Sequence, residues 1–114
     1  MSVTIYHNSR CSKSRQALAI LTEGGANPEV VDYLKTPLDA AALIVLRDKM
    51  GVETRTMMRT GEAIYKQLNL QQETDDAALI QAMAEHPILL ERPVVVSGAQ
   101  ALIARPPELA ERFL

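Results

Sequence analysis

The chain contains a single cysteine, Cys11, among its 114 residues. An internal disulfide is therefore excluded, and one free thiol is most useful in a reducing compartment, which favours the cytoplasm. No apolar run approaches the ~20 residues that a membrane-spanning helix requires. The chain also lacks the basic segment followed by an apolar one that is typical of a signal peptide. We therefore expect a cytoplasmic protein with no membrane partner.

A net positive charge and low-complexity sequence are also lacking. The formal net charge is −2 at pH 7, which argues against nucleic acid as a bulk electrostatic partner but leaves room for a local basic pocket. Charged residues make up 23% of the chain, an ordinary share for a folded protein. A chain of this length buries about two thirds of its unfolded surface as one domain. We therefore predict a single domain over residues 1–114.

The first third of the chain has the pattern of a strand, a helix and a second strand. The strands are predicted at Val3–Tyr6 and Glu29–Tyr33, and the helix at Ser12–Glu23. Gly24 and Gly25 end the helix. Within about thirty residues, this order is typical of a right-handed βαβ unit with parallel strands.

The rest of the chain is predicted to contain more helices, then a β-hairpin. The predicted elements are helices at 40–50, 62–68 and from 74 or 75 to 85, strands at 93–97 and 101–104, and a short closing helix that Pro106 and Pro107 open. This order, βαβ, a helical insertion at approximately 38–86 and ββα, is typical of an α/β thioredoxin-like fold with a mixed four-stranded sheet. In that fold a cis-proline before the third strand faces a loop thiol. Pro93 is the candidate, and a trans proline that starts a strand is the alternative.

The position of Cys11 at a strand-to-helix turn predicts a reactive thiol. Unpaired N–H groups and the helix dipole at a helix N-terminus favour an anion, so the pKa of a thiol falls there. The basic residues nearby, His7, Arg10, Lys13 and Arg15, act in the same direction. The alternative, a small buried hydrophobic residue, fits these charged neighbours poorly.

A series of short motifs runs through nearly the whole chain. They are Tyr6-His7-Asn8-x-x-Cys11-x-x-Ser14-Arg15, Met57-Met58-Arg59, Tyr65-x-Gln67-Leu68-x-Leu70, His86-Pro87-Ile88-Leu89, Arg92-Pro93-Val94-Val95-Val96 and Arg105-Pro106. Each motif is a weak signal alone, but their order and spacing together are a strong one. With them the chain resembles the glutathione- and glutaredoxin-coupled arsenate reductases, the ArsC-like family of thioredoxin fold that shares a superfamily with the Spx-type regulators.

The resemblance implies a catalytic role for Cys11. Its thiolate attacks the arsenic of bound arsenate and displaces water or hydroxide. His7 helps to lower the pKa of the thiol, while Ser14 and Arg15 lie near the thiolate in the first helical turn. For His7, a histidine that caps the end of a strand is the alternative.

The resemblance also implies that Arg59, Arg92 and Arg105 hold the oxyanion and the covalent intermediate. A thiolate and an oxyanion repel each other, so several cations must neutralise them, and arginine makes bidentate contacts to oxyanions. The alternatives are a solvated helix position for Arg59 and surface ion pairs for Arg92 and Arg105.

The implied reductants are thiols from outside the chain. Glutathione is the co-substrate that attacks the intermediate, glutaredoxin is the partner that resolves the mixed disulfide, and arsenite is the product. No tightly bound cofactor or metal is implied, and a monomer is expected.

Ser14 stands where a Cys-x-x-Cys motif would have its second cysteine. Cys11 therefore needs an external thiol, which favours a glutathione-coupled enzyme over an internal disulfide switch. Two other functions stay open: a glutathione-dependent thiol/disulfide reductase or transferase, and an Spx-like regulator that binds RNA polymerase.

The chain ends soon after Arg105, whereas well-studied arsenate reductases of this type have a longer C-terminal tail. If that tail binds substrate or partner, this protein would reduce arsenate poorly or act on another substrate.

Overall fold

The computed structural model describes residues 2–114, and Met1, the first residue of the predicted domain, lies outside the described residues. The chain begins with strand β1 (Thr4–His7), helix α1 (Ser12–Glu23) and strand β2 (Glu29–Asp32). The two strands are parallel, as predicted, and His7 lies opposite Asp32 at their carboxyl ends. Helix α1 has the predicted bounds, and Gly25, with a φ of 93°, takes the left-handed conformation just after it.

The remaining elements complete a mixed four-stranded sheet. They are helices α2 (Ala40–Met50), α3 (Ala63–Gln67) and α4 (Asp76–Glu85), strands β3 (Val94–Ser97) and β4 (Gln100–Ile103), and 3-10 helices at Thr54–Met57, Leu70–Gln72, Pro87–Leu89 and Pro107–Phe113. The strand order is β2-β1-β3-β4, and β3 is antiparallel to both β1 and β4. The predicted sheet and hairpin are therefore confirmed, while the strand bounds shift by about one residue, as is usual at element ends. The predicted closing helix is a 3-10 helix.

The chain divides into two compact units. The first comprises the residues up to Thr36 together with Arg92–Leu114, and the second is Pro37–Glu91. The sheet, α1 and the closing 3-10 helix belong to the first unit, and the helices α2, α3 and α4 belong to the second. A single domain with an insertion at approximately 38–86 stays a prediction.

The core of the first unit lies between the sheet and α1. Ile5 of β1 is paired with Val95 of β3, and both are fully buried. Ala17 and Leu21, one helical turn apart on α1, face them in the same cluster. Ala110 of the closing 3-10 helix packs there as well. This packing fixes the start of α1 against the end of β1, and Cys11 lies at that junction.

A helix cap and the part-buried contacts of one arginine order segments of the second unit. Asp39 caps α2 by accepting a hydrogen bond of 2.8 Å from the Ala42 amide. The guanidinium of Arg55 binds the hydroxyl of Tyr65 and the carbonyl oxygens of Leu70 (2.9 Å) and Glu73 (2.7 Å). These bonds satisfy backbone groups in a segment of short 3-10 turns, which therefore has a defined conformation.

Replacing Leu21 with alanine should strongly destabilise the protein. Leu21 is fully buried, so we expect Leu21→Ala to lower the free energy of unfolding by about 2–5 kcal/mol. Leu68→Ala is the matched control because the Leu68 side chain is 44% exposed. Urea denaturation of both variants measures the difference, and equal losses in the two variants would contradict the assignment of the core.

Candidate active site

A tight turn after β1 places Cys11 at the start of α1. The Cys11 amide donates to the Asn8 carbonyl oxygen (3.0 Å), and the Arg10 amide donates to Oδ1 of Asn8 (3.0 Å). Asparagine favours such turns because its side chain binds the backbone two residues on. No role was predicted for Asn8, although the motif shows this turn-forming residue three positions before the cysteine. Cys11 thereby becomes the N-cap residue of α1, with extended backbone angles and a half-buried side chain.

The pKa of Cys11 is lowered by groups from two elements. Partial burial raises the pKa, but the Ser14 amide, the Arg92 guanidinium and the Lys13 amide together lower it more. Arg92 acts twice, as a hydrogen-bond donor to the sulfur and as a positive charge beside it. The shift has the predicted direction. Lys13 contributes through its backbone N–H at the beginning of the helix, as expected for an anion at a helix N-terminus.

Ser14 connects His7 to this thiol. The Ser14 side chain is fully buried, and its Oγ lies 2.6 Å from Nδ1 of His7. The same oxygen accepts a hydrogen bond of 3.0 Å from the Asn8 amide. Since the Ser14 amide also lowers the pKa of Cys11, the structure brings His7, Ser14 and Cys11 together. A role for His7 in the ionisation of Cys11 stays a prediction. In the structure, His7 contacts the Ser14 side chain, and the Ser14 amide in turn contacts the Cys11 sulfur.

The surroundings of His7 favour its neutral form by lowering its pKa. Burial lowers the pKa of His7, the charge of Arg15 lowers it further, and the carboxylate of Asp32 opposes them without reversing the shift. A neutral ring leaves one nitrogen able to accept a proton from a hydroxyl. Ser14 can therefore donate its hydroxyl proton to Nδ1 of His7 while it accepts from the Asn8 amide.

Three predicted arginines lie in the first unit. Arg92 lies beside the Cys11 sulfur, and Nη1 of Arg105 donates to the Arg92 carbonyl oxygen at 3.0 Å. Nη1 of Arg15 donates to the Ser9 carbonyl oxygen at 2.7 Å and so binds to the turn that precedes the cysteine. The Arg92–Pro93 peptide bond is cis, and so is Arg105–Pro106, which the sequence did not indicate.

Arg59 lies in the second unit, where two carboxylates hold it. Its Nε is 3.1 Å from Oε1 of Glu62, and its Nη1 is 2.8 Å from Oε1 of Glu91. Partial burial lowers the pKa of Arg59, but the two glutamates raise it more. Arg59 lies outside the helices and is only 25% exposed, so it is not the solvated helix arginine that was the alternative. Its predicted role on the oxyanion stays a prediction.

Residues 2–114 contain neither a cluster of metal-ligating side chains nor a helix that could span a membrane. Within that range, no group of three or more His, Cys, Asp or Glu side chains is arranged to hold a metal ion. In the same range, none of the helices is both long and apolar enough to cross a membrane.

Comparisons of the sequence and of the structure with known proteins agree on one family. The model of the ArsC family matches residues 6–113. The chain is 53% identical over 108 residues to the uncharacterized protein YfgD of Escherichia coli, covering 93% of this chain and 91% of that protein. It is 46% identical over 114 residues to an arsenate reductase of Neisseria meningitidis, covering 98% and 97%. The structure of an arsenate reductase from Vibrio cholerae superposes with a TM-score of 0.96 at 49% identity, covering 100% of this chain and 98% of that one. The predicted family and the predicted thioredoxin-like α/β fold are thereby confirmed.

Replacing Arg92 with methionine should raise the pKa of Cys11. Methionine keeps much of the length of the side chain but removes the donor and the charge that favour the thiolate. Alkylation by iodoacetamide reports ionisation because only the thiolate reacts well, so its rate rises with pH through the pKa of the folded protein. We expect the midpoint of this rise to lie below the ordinary cysteine value in the wild type and at higher pH in Arg92→Met. Arg112→Met, which alters an exposed arginine of the closing 3-10 helix, should keep the wild-type midpoint. An unchanged midpoint in Arg92→Met would refute the assigned contact.

Proposed function

Because the chain belongs to the ArsC family, we propose that it is an arsenate reductase that forms a covalent bond between Cys11 and arsenic. Relatives named arsenate reductases, among them the protein of Neisseria meningitidis, support an oxidoreductase. The observation that carries the proposal is the pair formed by the Cys11 sulfur and the Arg92 guanidinium at the start of α1. This pair joins the nucleophile to a group suited to an oxyanion.

The electrostatics of the Cys11 turn suit an anionic substrate. A thiolate and arsenate repel each other unless cations and N–H dipoles offset both charges. Arg92 offers a planar fork of donors, and the N–H groups at the start of α1 add donors of the kind found at phosphate sites. Arg105 is bonded to the Arg92 backbone, so the two guanidinium-bearing segments are connected. In this proposal the arginines hold the oxyanion while the thiolate attacks.

The chemical steps conserve atoms and electrons. The Cys11 thiolate forms a bond to arsenic, and one arsenate oxygen leaves as hydroxide or water. The glutathione thiolate then attacks the Cys11 sulfur and forms a mixed disulfide with it, while the S–As bond breaks and its electron pair stays on arsenic, which leaves as arsenite. A thiol of glutaredoxin attacks the glutathione sulfur of this disulfide and releases Cys11. The two electrons that reduce arsenate to arsenite come from the two thiol sulfurs that leave joined as a disulfide. Cys11 returns to the thiolate.

The reductants come from outside the chain in this proposal. The chain has one cysteine, and Ser14 fills the position of a resolving cysteine, so the intermediate needs external thiols. Glutathione is a co-substrate, glutaredoxin is the protein partner, and the steps use no tightly bound cofactor or metal. We propose that the enzyme is a monomer and that it works in the cytoplasm, because free cysteine thiols stay reduced there.

A second function, glutathione-dependent thiol/disulfide exchange, is favoured by the ion pairs of Arg59. Two carboxylates already offset the charge of Arg59, which weakens it as a binder of a further anion. Exchange at Cys11 needs the lowered pKa of the thiol but no oxyanion site. Activity on disulfides without activity on arsenate would support this second function.

The first test is turnover with arsenate. We expect arsenate-dependent oxidation of NADPH when the protein is coupled to glutathione, glutaredoxin and glutathione reductase. Cys11→Ser should abolish it, because a serine hydroxyl is not ionised at neutral pH and cannot form the disulfide. Absence of turnover in the wild type, with a mixed disulfide still formed at Cys11, would refute the arsenate proposal in favour of the second function.

The second test is the contribution of the arginines. We expect Arg59→Ala, Arg92→Ala and Arg105→Ala each to lower kcat/KM for arsenate by more than about fivefold, the effect of roughly 1 kcal/mol, which is the upper value for a surface charge. Arg112→Ala is the control for loss of an exposed arginine. Wild-type kcat/KM in all three variants would refute the oxyanion site.

A further inference from the structure

We propose that a groove beside Cys11 binds glutathione. The lining residues come from the turn after β1 and from the segment at and after the end of β2: Asn8, Ser9, Arg10, Asp32, Leu34 and Lys35. We call this site the thiol groove. The proposal rests on the proposed function in taking glutathione as the thiol that reacts at Cys11, and it assigns that thiol a binding site.

The thiol groove has the right place and size. Arg10 directly precedes Cys11, and consecutive Cα atoms are about 3.8 Å apart, so a tripeptide in the groove can bring its sulfur to the cysteine. The parallel pairing of β1 with β2 puts His7 opposite Asp32, which brings the two following segments together. The cavity measures about 350 Å³, within the roughly 300–1,000 Å³ that is usual for small-molecule sites.

The charges of the thiol groove complement those of glutathione. At neutral pH glutathione has two carboxylates and one ammonium group. Arg10 and Lys35 are exposed cations that can meet the carboxylates, and Asp32 can meet the ammonium. Among residues 2–114, neither Arg10 nor Lys35 is held in an ion pair, so both side chains can turn to a ligand.

The backbone around Asp32 is held in one conformation. Oδ1 of Asp32 accepts from the Leu34 amide at 3.1 Å, and its carbonyl oxygen accepts from the amides of Lys35 (3.1 Å) and Thr36 (2.8 Å). This turn presents the Asp32 carboxylate and the Lys35 side chain from one short segment. The Leu34 side chain, 40% exposed, offers apolar contact to the methylene groups of glutathione. Such preorganisation lowers the entropic cost of binding a flexible peptide.

The cations of the thiol groove are distinct from the proposed oxyanion ligands. Arg10 and Lys35 line the groove, whereas Arg92 lies against the Cys11 sulfur and Arg105 against the Arg92 backbone. A thiol donor and an oxyanion would therefore use different positive charges. Glutathione could then approach Cys11 without removing the cations that hold the arsenic intermediate.

The test measures thiol–disulfide exchange at Cys11 without arsenic. The Cys11 thiolate attacks one sulfur of oxidised glutathione, forms a mixed disulfide and releases one glutathione thiolate. The second-order rate constant is compared with that for bis(2-hydroxyethyl) disulfide, which is uncharged. The ratio of the two rate constants cancels changes in the intrinsic reactivity of Cys11. Wild type, Lys35→Glu and the control Lys66→Glu are measured, the last because Lys66 is an exposed lysine of the second unit.

We expect the ratio to fall by about fivefold or more in Lys35→Glu and to keep its wild-type value in Lys66→Glu, because reversing a charge in the groove repels the carboxylates. Lys35 is exposed and its backbone bond to Asp32 does not involve the side chain, so the variant should fold. An unchanged ratio in Lys35→Glu would overturn the proposal. The proposal would also be overturned if Lys35→Glu reacted normally with oxidised glutathione but its mixed disulfide was reduced more slowly by glutaredoxin. The groove would then bind an acidic surface of a protein partner instead of glutathione. A protein that passes this test but reduces no arsenate would keep the thiol groove and lose the arsenate proposal.

Discussion

The interaction on which the site depends joins the Cys11 sulfur to the first amides of α1 and to the guanidinium of Arg92. Burial of the sulfur works against ionisation, so a half-buried thiolate needs donors that are already in place. Those donors come from elements that are distant in sequence, and the sheet aligns them: Tyr6 near the end of β1 is paired with Val94 at the start of β3. The core beneath, with Ile5 opposite Val95, fixes this alignment. The reactivity of one thiol is thus a property of the packed first unit.

Ser14 serves both the fold and the chemistry of this site. Its amide faces the Cys11 sulfur, while its hydroxyl binds His7 and the Asn8 amide in a fully buried position. A buried amide without a partner costs about 1–3 kcal/mol, so the hydroxyl stabilises the turn that presents the thiol. A cysteine at this position would offer a weaker hydrogen-bonding group and an internal route to a disulfide. The residue that makes an external reductant necessary is therefore also the one that orders the cysteine turn.

The features that sequence could predict are those set by local chemistry. The sequence predicts a helix at 40–50, and α2 has these bounds because adjacent residues set them: Asp39 caps the helix, and Gly51, with a φ of 68°, ends it. The resemblance implies that Ser14 lies near Cys11, and in the structure Ser14 lies in the first turn of the helix that Cys11 caps. The 3-10 helix Thr54–Met57 was not predicted, since so short an element has no periodic pattern, and Arg55 holds this region through the distant Leu70 and Glu73 carbonyl oxygens. Long-range partners of this kind leave no local signal in one sequence.

The motif that contains Arg59 does not determine how much this residue contributes to the free energy of arsenate binding. Its two carboxylate contacts, Glu62 three residues on and Glu91 far along the chain, were not visible in the motif that contains it. Each is a charge-assisted bond, and arsenate would have to replace one such bond with another of similar strength. The free energy that an oxyanion gains from Arg59 is then a difference between two comparable interactions rather than the full value of one. Binding of arsenate in the proposed mechanism therefore depends first on Arg92 and the amides at the start of α1, whose interactions converge on the Cys11 sulfur.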